Sequence, residues 1–343
     1  MQDPTLFSPI KLRDVELRNR VVFPPCVTCM DHDGDQSREW YADRARGCVG
    51  LVIREATRTH LFADPGFAEG LRPMVDAVHA AGAAVAIQLI IADMAGEERV
   101  DVSAHDDVRE VTVDAIEAKL AELAHAAAQA KAVGFDAVEP HGAHGFFMNR
   151  FFWPKHNQRT DEFGGSLEAR MQFGIRGVAA VRDAVGPEYP ILYRHTPVHA
   201  GEGGYGTDES KPFARQLVNA GVDVLDISPS GPSDGEHAVW AGEIKAAVDV
   251  PVIAVGGMND PAAAEAALAA GKCDLVAIGR GLIADSHWVQ KVVTGRQDAI
   301  IECIECNEQC YGNLRDGVPI GCTQNPDSGQ EYLRTVPGSD LTK

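Results

Sequence analysis

Residues 114–146 read DAIEAKLAELAHAAAQAKAVGFDAVEPHGAHGF, and the order of signals in this stretch sets the expected fold. Asp114 with Glu117 three residues on predicts a capped helix start, and Ile116, Leu120, Leu123 and Ala127 follow at helical spacing. Gly134 stops the helix. A short apolar strand over 137–140 comes next, and His141 and His144 lie straight after it. Helix, glycine, strand and then polar residues is the pattern of parallel strands joined by crossover helices.

The same grammar recurs along the chain. Mostly apolar runs at 21–23, 49–55, 84–89, 137–140, 190–194, 222–228, 251–255 and 274–278 predict eight strands buried under helices on both sides. Alanine-rich stretches separate them, such as Pro261 to Gly271. Eight alternations fit a (β/α)8 TIM barrel. A doubly wound open sheet would place a glycine-rich turn after the first strand, whereas Val21, Val22 and Phe23 run into Pro24, Pro25 and Cys26.

The chain has 343 residues, 45% of them hydrophobic and 24% charged, which are the proportions of a globular protein. With 50 acidic against 31 basic residues, the net charge of −19 opposes contact with nucleic acid and anionic membranes. No apolar segment for secretion occurs in the first twenty residues, so a reducing, cytoplasmic setting is expected, in which eight cysteines need an explanation other than disulfides.

Barrel chemistry sits at the C-terminal ends of the strands. After the seventh predicted strand come Gly256, Gly257, Met258 and Asn259, and after the eighth Gly279, Arg280 and Gly281, where backbone N–H groups and a guanidinium can hold a phosphate. After the fourth, His141 and His144 can donate hydrogen bonds to one substrate oxygen. Read alone, H-x-x-H fits half of a zinc site or two satisfied loop histidines equally well. The loop from Asn157 to Arg170 is expected to pair its charges internally.

Together these segments resemble the old yellow enzyme family, with its longer relatives 2,4-dienoyl-CoA reductase and trimethylamine dehydrogenase. The resemblance is carried by Leu6 to Ile10, Leu17 to Val21, Gln88 with Leu89, Gly134 to His144, the N-x-R-T-D-E-F-G-G-S-L-E segment from Asn157, the V-G-G run at Val255, and Gly279 with Arg280. It implies a barrel holding FMN over the strand ends. Pro25, Val27 and Ala56 would lie beside the flavin ring, Gln88 at its pyrimidine edge and Arg194 near N1 and O2, where a cation stabilises the reduced ring. Gly257, Gly279 and Arg280 would hold the phosphate, and His141 and His144 would grip the substrate's activating group. Phe146 departs from the pattern, because many family reductases carry a proton-donating tyrosine there; Tyr205 and His237 are the candidate replacements. Ile91 stands where many relatives have a histidine.

Cys303, Cys306, Cys310 and Cys322 crowd into twenty residues. Four thiolates on a compact loop suit a tetrahedral metal or a cubane cluster. Their spacing resembles the [4Fe-4S] segment that follows the barrel in 2,4-dienoyl-CoA reductase. The expected organisation is therefore an FMN-binding barrel over 1–298 and a [4Fe-4S]-binding segment over 299–343. The other four cysteines read as ordinary thiols.

The expected activity is reduction of an activated C=C bond by hydride from flavin N5. Oxidation of a C–N or C–H bond with electrons leaving through the cluster is the alternative, and an electron-carrying subunit without small-molecule chemistry is a third reading. NAD(P)H is the expected indirect donor. A separate electron-transfer protein or reductase subunit, a small-molecule substrate and a homo-oligomeric assembly are the expected partners. The longer relatives carry a fused flavin and NADPH domain after the cluster, for which no sequence is present here.

Overall fold

Eight short strands close on themselves in the computed structural model, which describes residues 5–95, 98–230 and 237–335. They are β1 (Val21–Phe23), β2 (Leu51–Arg58), β3 (Ala84–Ile90), β4 (Ala137–Gly142), β5 (Leu192–His195), β6 (Val224–Ile227), β7 (Val252–Val255) and β8 (Leu275–Ala277). Each pairs in parallel with its sequence neighbours, and β8 returns to β1 through Val276 opposite Val21, so no strand edge is left open. This is a (β/α)8 barrel, with every strand within a few residues of its expected run.

Alternate side chains of a strand point into the barrel, and the interior changes character along its axis. Val22, Leu51, Ile53, Ala86, Ala137, Leu192, Val224, Ile253 and Leu275 form one buried apolar cluster. Leu12 and Leu17, on the antiparallel hairpin of Ile10–Leu12 with Val15–Leu17, pack into it and plug the N-terminal end. Each buried Val, Leu or Ile among them stabilises the fold by about 1.5–3 kcal/mol relative to exposure. Two residues further up the same faces stand Gln88, Glu139, Arg194 and Asp226, all buried. Apolar below and polar above, the barrel directs its chemistry to the C-terminal mouth.

The helices form the outer layer. The helix Val113–Ala132 is capped by Thr112, whose hydroxyl accepts from the Ala115 amide at 3.2 Å, and not by Asp114. Thr112 keeps an extended backbone from which its side chain can reach the third helical amide, while Asp114 already lies in the first turn, where its charge suits the helix dipole. Gly134 follows at φ 103°, a left-handed conformation that glycine adopts without penalty.

Two features of the mouth are absent from the expectations above. Strand β2 runs on to Arg58 with a shift of register between Arg54 and Thr57, so Ala56 lies on an irregularity within the strand and not after its end. A small sheet of Met94–Ala95, Glu98–Asp101 and Arg109–Glu110 rises between β3 and the next helix. The loop from Asn157 clamps it: Arg159 donates to the carbonyls of Val102 and Val111 at 2.9 and 2.7 Å and pairs with Asp161. The internal pairing expected of that loop is thus present.

Beyond β8 the chain turns back across the barrel. Ile320 donates to the Thr28 carbonyl at 2.9 Å, Gln36 to the Gly329 carbonyl at 2.7 Å, and Glu331 receives the buried Arg44 guanidinium at 2.8 Å. This tail straps the last strand to the loop and helix that follow the first.

Candidate active site

Parallel register assembles the polar upper layer. It places Gln88 opposite Glu139, and Arg194 opposite both His141 and Asp226. Gln88 donates to Glu139 at 2.8 Å, while the Arg194 guanidinium lies 3.5 Å from Asp226. Burial, and then the charge of Asp226, pushes the Glu139 carboxyl well above its ordinary range; burial also raises Asp226, which Arg194 partly offsets. Two buried carboxyls beside a single guanidinium disfavour double ionisation.

The histidine pair sits directly above. Their rings are 5.3 Å apart and nearly perpendicular. The Ala143 amide donates to His141 Nδ1 at 3.3 Å, which leaves the ring proton on Nε2. His144 is held at φ 60°, its amide donating to the Thr196 hydroxyl, while its Nε2 lies 2.9 Å from Ser228 Oγ. Arg194 donates to that same Ser228 oxygen at 2.9 Å. Burial lowers His141 well below the ordinary histidine range, and burial with the Arg194 charge lowers His144 to about 3. Both rings are therefore neutral near pH 7, and each has one N–H to donate.

The expected proton donors are placed differently from one another. Phe146 stands half exposed with its ring 4.9 Å from His141. Tyr205 is buried: its hydroxyl donates to the Thr196 carbonyl and accepts from Asn149, both at 2.9 Å, so its only proton is engaged in holding the loop. His237 is buried against Gly256, where a side-chain carbon would come within 1.8 Å of its Nδ1; that contact requires glycine at 256.

At the strand ends, Gly257 is exposed at φ 72° and Gly279 leads into the short helix Arg280–Ala284. The Arg280 guanidinium donates to Glu305 and Asn307, both at 3.1 Å. Pro25 and Val27 lie on the loop after β1, anchored by Thr28, whose amide and hydroxyl donate to Glu55 at 2.6 and 2.9 Å. Cys26 beside them is a protonated thiol, pushed up to about 11 by burial.

A flavin fits this face. Arg194 Nε is buried without a hydrogen-bond partner, its nearest carboxylate oxygen on Asp226 lying 3.5 Å away, and such a donor costs about 1–3 kcal/mol unless an acceptor satisfies it. The pyrimidine edge of an isoalloxazine ring, ordered between Gln88 and Arg194, is a group of the required kind. In the tail, Cys303, Cys306, Cys310 and Cys322 line one small hollow of about 20 Å³ together with Arg280. Left-handed turns at Glu305 and Asn307 and the π-helix Glu308–Gly312 wind the chain around it. Four soft thiol donors fit a cluster or a soft metal. Among the described residues no three His, Cys, Asp or Glu side chains converge closely enough to hold a single ion.

Sequence reasoning missed Ser228, Glu139 and Asp226. Their signal was the period-two pattern of the runs over 222–228 and 137–140, which assigns them to the inner face only once the strands are known to close. It also missed a cavity of about 760 Å³ that opens beside the histidine pair, lined by Arg58, His60, Ile91, Met94, Phe146 and Arg150 among others.

Comparison with known proteins agrees with this geometry. The NADH oxidase of Thermoanaerobacter brockii is 36% identical over 96% of this chain and 57% of its own length. A 2-naphthoyl-CoA reductase complexed with 2-naphthoyl-CoA superposes with a TM-score of 0.90 at 27% identity, over 96% of this chain and 58% of that one. Histamine dehydrogenase from Rhizobium sp. 4-9 gives 0.87 at 27% identity, over 95% and 53%. The chain thus spans between half and three fifths of these relatives. Residues 5–299 match the model of the NADH:flavin oxidoreductase / NADH oxidase family, and the chain belongs to that family.

Proposed function

We propose that this chain binds FMN across the barrel mouth and a [4Fe-4S] cluster in its tail, and reduces a C=C bond conjugated to an electron-withdrawing group. The observation that carries the reading is the neutral His141 and His144 pair, aimed from the strand-four loop and backed by Arg194. Bound FMN would supply the hydride to the electron-poor carbon. The activating oxygen accepts from the two imidazole N–H groups, which stabilise the negative charge that builds there, and the resulting carbanion takes its proton from solvent, since Phe146 has none to give and the Tyr205 hydroxyl is engaged. Arg194 and Gln88 hold the polar edge of the ring, and the backbone at Gly257, Gly279 and Arg280 holds the phosphate. Pro25, Val27 and Ala56 line the ring from β1 and β2. NAD(P)H is the donor the family name supports.

Cys303, Cys306, Cys310 and Cys322 would ligate the cluster. Three thiols on one tight loop and a fourth twelve positions on, without the two well-separated C-x2-C knuckles of a zinc ribbon, support a polynuclear centre. A cluster handles single electrons, so the physiological donor or acceptor is expected to be a separate redox module or protein.

Phe146 favours a second reading, oxidation of a C–N or C–H bond, because it has no proton to give to a carbanion. The test is anaerobic: add an enone to the reduced protein and a methylated amine to the oxidised protein, and follow flavin absorbance. Reoxidation by the enone supports reduction, and bleaching by the amine supports oxidation. Neither change leaves the electron-carrier reading.

A further inference from the structure

The cavity beside the histidine pair has two unlike walls. Ile91, Met94 and Phe146 make one side apolar, and Met94 and Phe146 are 38% and 45% exposed, unusually open for such residues. The Phe146 ring, which lines the cavity, lies 4.9 Å from the His141 ring, so this residue adjoins both the cavity and the histidine pair. Arg58 and His60, exposed at and beyond the end of β2, stand on the other wall.

The charges around the cavity are unequally committed. Asp93 is held by Arg150 at 3.3 Å and Arg99 at 3.6 Å, and Glu122 by the Thr59 hydroxyl. Lys119 donates to the carbonyls of Ala92 and Met94. Among the described residues no carboxylate pairs with Arg58. The lining has Arg58, Lys119 and Arg150 against Asp93 and Glu122, and because Arg150 pairs with Asp101 as well as Asp93, the guanidinium left uncommitted is that of Arg58. An overall acidic protein that keeps an uncommitted guanidinium at a cavity wall has a place for an anion. A volume of about 760 Å³ exceeds what an enone alone needs and falls in the range of sites that enclose ligands of drug size.

We infer that the cavity binds the far end of an amphipathic substrate, an apolar aryl or alkyl body ending in a carboxylate, with Arg58 as the charge partner of that carboxylate. This names the substrate class for the reaction proposed above and rests on that reading for the position of the reacting bond. The body lies along Ile91 and Phe146, the activating group reaches His141 and His144, and the anion reaches Arg58.

The test compares 4-(3-oxobut-1-enyl)benzoate with its methyl ester, which replaces the distal charge by a neutral group one methyl larger. Affinity for the oxidised, flavin-loaded protein is measured by calorimetry, without turnover. Arg58→Gln should weaken the carboxylate about fivefold, the scale of an accessible ion pair, and change the ester less than twofold. Arg58→Lys should restore most of the difference, and raising the salt concentration should weaken the carboxylate selectively. Equal effects of R58Q on both ligands, or on neither, would overturn the inference while leaving C=C reduction to be judged by turnover alone. Selective loss in a protein that reduces neither compound would instead support the substrate class and overturn the reaction.

Discussion

His144 carries the opposing demands of the site in one residue. Its backbone adopts a left-handed conformation that costs a non-glycine residue about 1–3 kcal/mol, and its ring is held neutral in a buried place. The native pKa of about 3 lies below the ordinary 6.5, so between those values the unfolded chain binds a proton that the native one refuses. Stability should therefore be complete above pH 6.5 and fall as pH decreases, by up to about 1.4 kcal/mol per unit from this residue. His141 acts in the same direction. Urea midpoints at pH 7 and pH 5 should show a smaller loss in His144→Asn than in the parent, since asparagine tolerates the backbone and does not titrate; an identical loss would refute the assignment. Ser228 positions this ring from Arg194. Ser228→Ala should lower turnover about tenfold with substrate affinity nearly unchanged, with rescue by Ser228→Thr; equal loss of affinity would mark a merely structural role. Arg194→Lys keeps the buried charge yet loses the fork, and should shift the flavin midpoint potential; an unchanged potential would remove its role at the ring. His141, His144, Gln88 and Arg194 were legible because they end strands or follow them within motifs. Tyr205 shows the opposite limit: as a sequence symbol it is a possible acid, and only its bonds to Thr196 and Asn149 reveal where its proton is used.

At the scale of elements, the irregularity in β2 and the cysteine loop do the local shaping. Eight strands could be read from apolar runs, since each is buried on both faces. The small sheet over Met94 to Glu110 could not, because its strands are two to four residues long and leave no periodicity. The helix cap at Thr112 was obscured by Asp114, an equally good capping residue two positions later, and the choice was made by backbone conformation. In the tail, Arg280 ties Glu305 and Asn307, the two residues whose left-handed turns aim the cysteine loop. Arg280→Ala should shorten the time for which iron resists a chelator severalfold, while Cys322→Ser should abolish iron retention. Zinc without iron in the parent protein would exclude the cluster.

Across the whole molecule, the strap from β8 to the helix Asp35–Arg46 depends on a buried pair, Arg44 with Glu331. Removing one partner strands the other's charge, so Glu331→Leu should cost about 3–5 kcal/mol in a denaturant titration. The double variant Arg44→Met with Glu331→Leu should recover most of that loss, and failure to recover would show that the pair contributes more than mutual neutralisation. The closed sheet has a further consequence, which concerns time. Arg20, at the threshold of β1, bonds a carbonyl 254 residues later in the chain. At roughly 5–20 residues per second, a ribosome needs about 13–50 s to make that interval. Throughout it, the first strand waits with an unpaired apolar edge that another nascent chain could occupy. A protein built this way should depend on chaperone shielding during synthesis far more than its finished stability would imply.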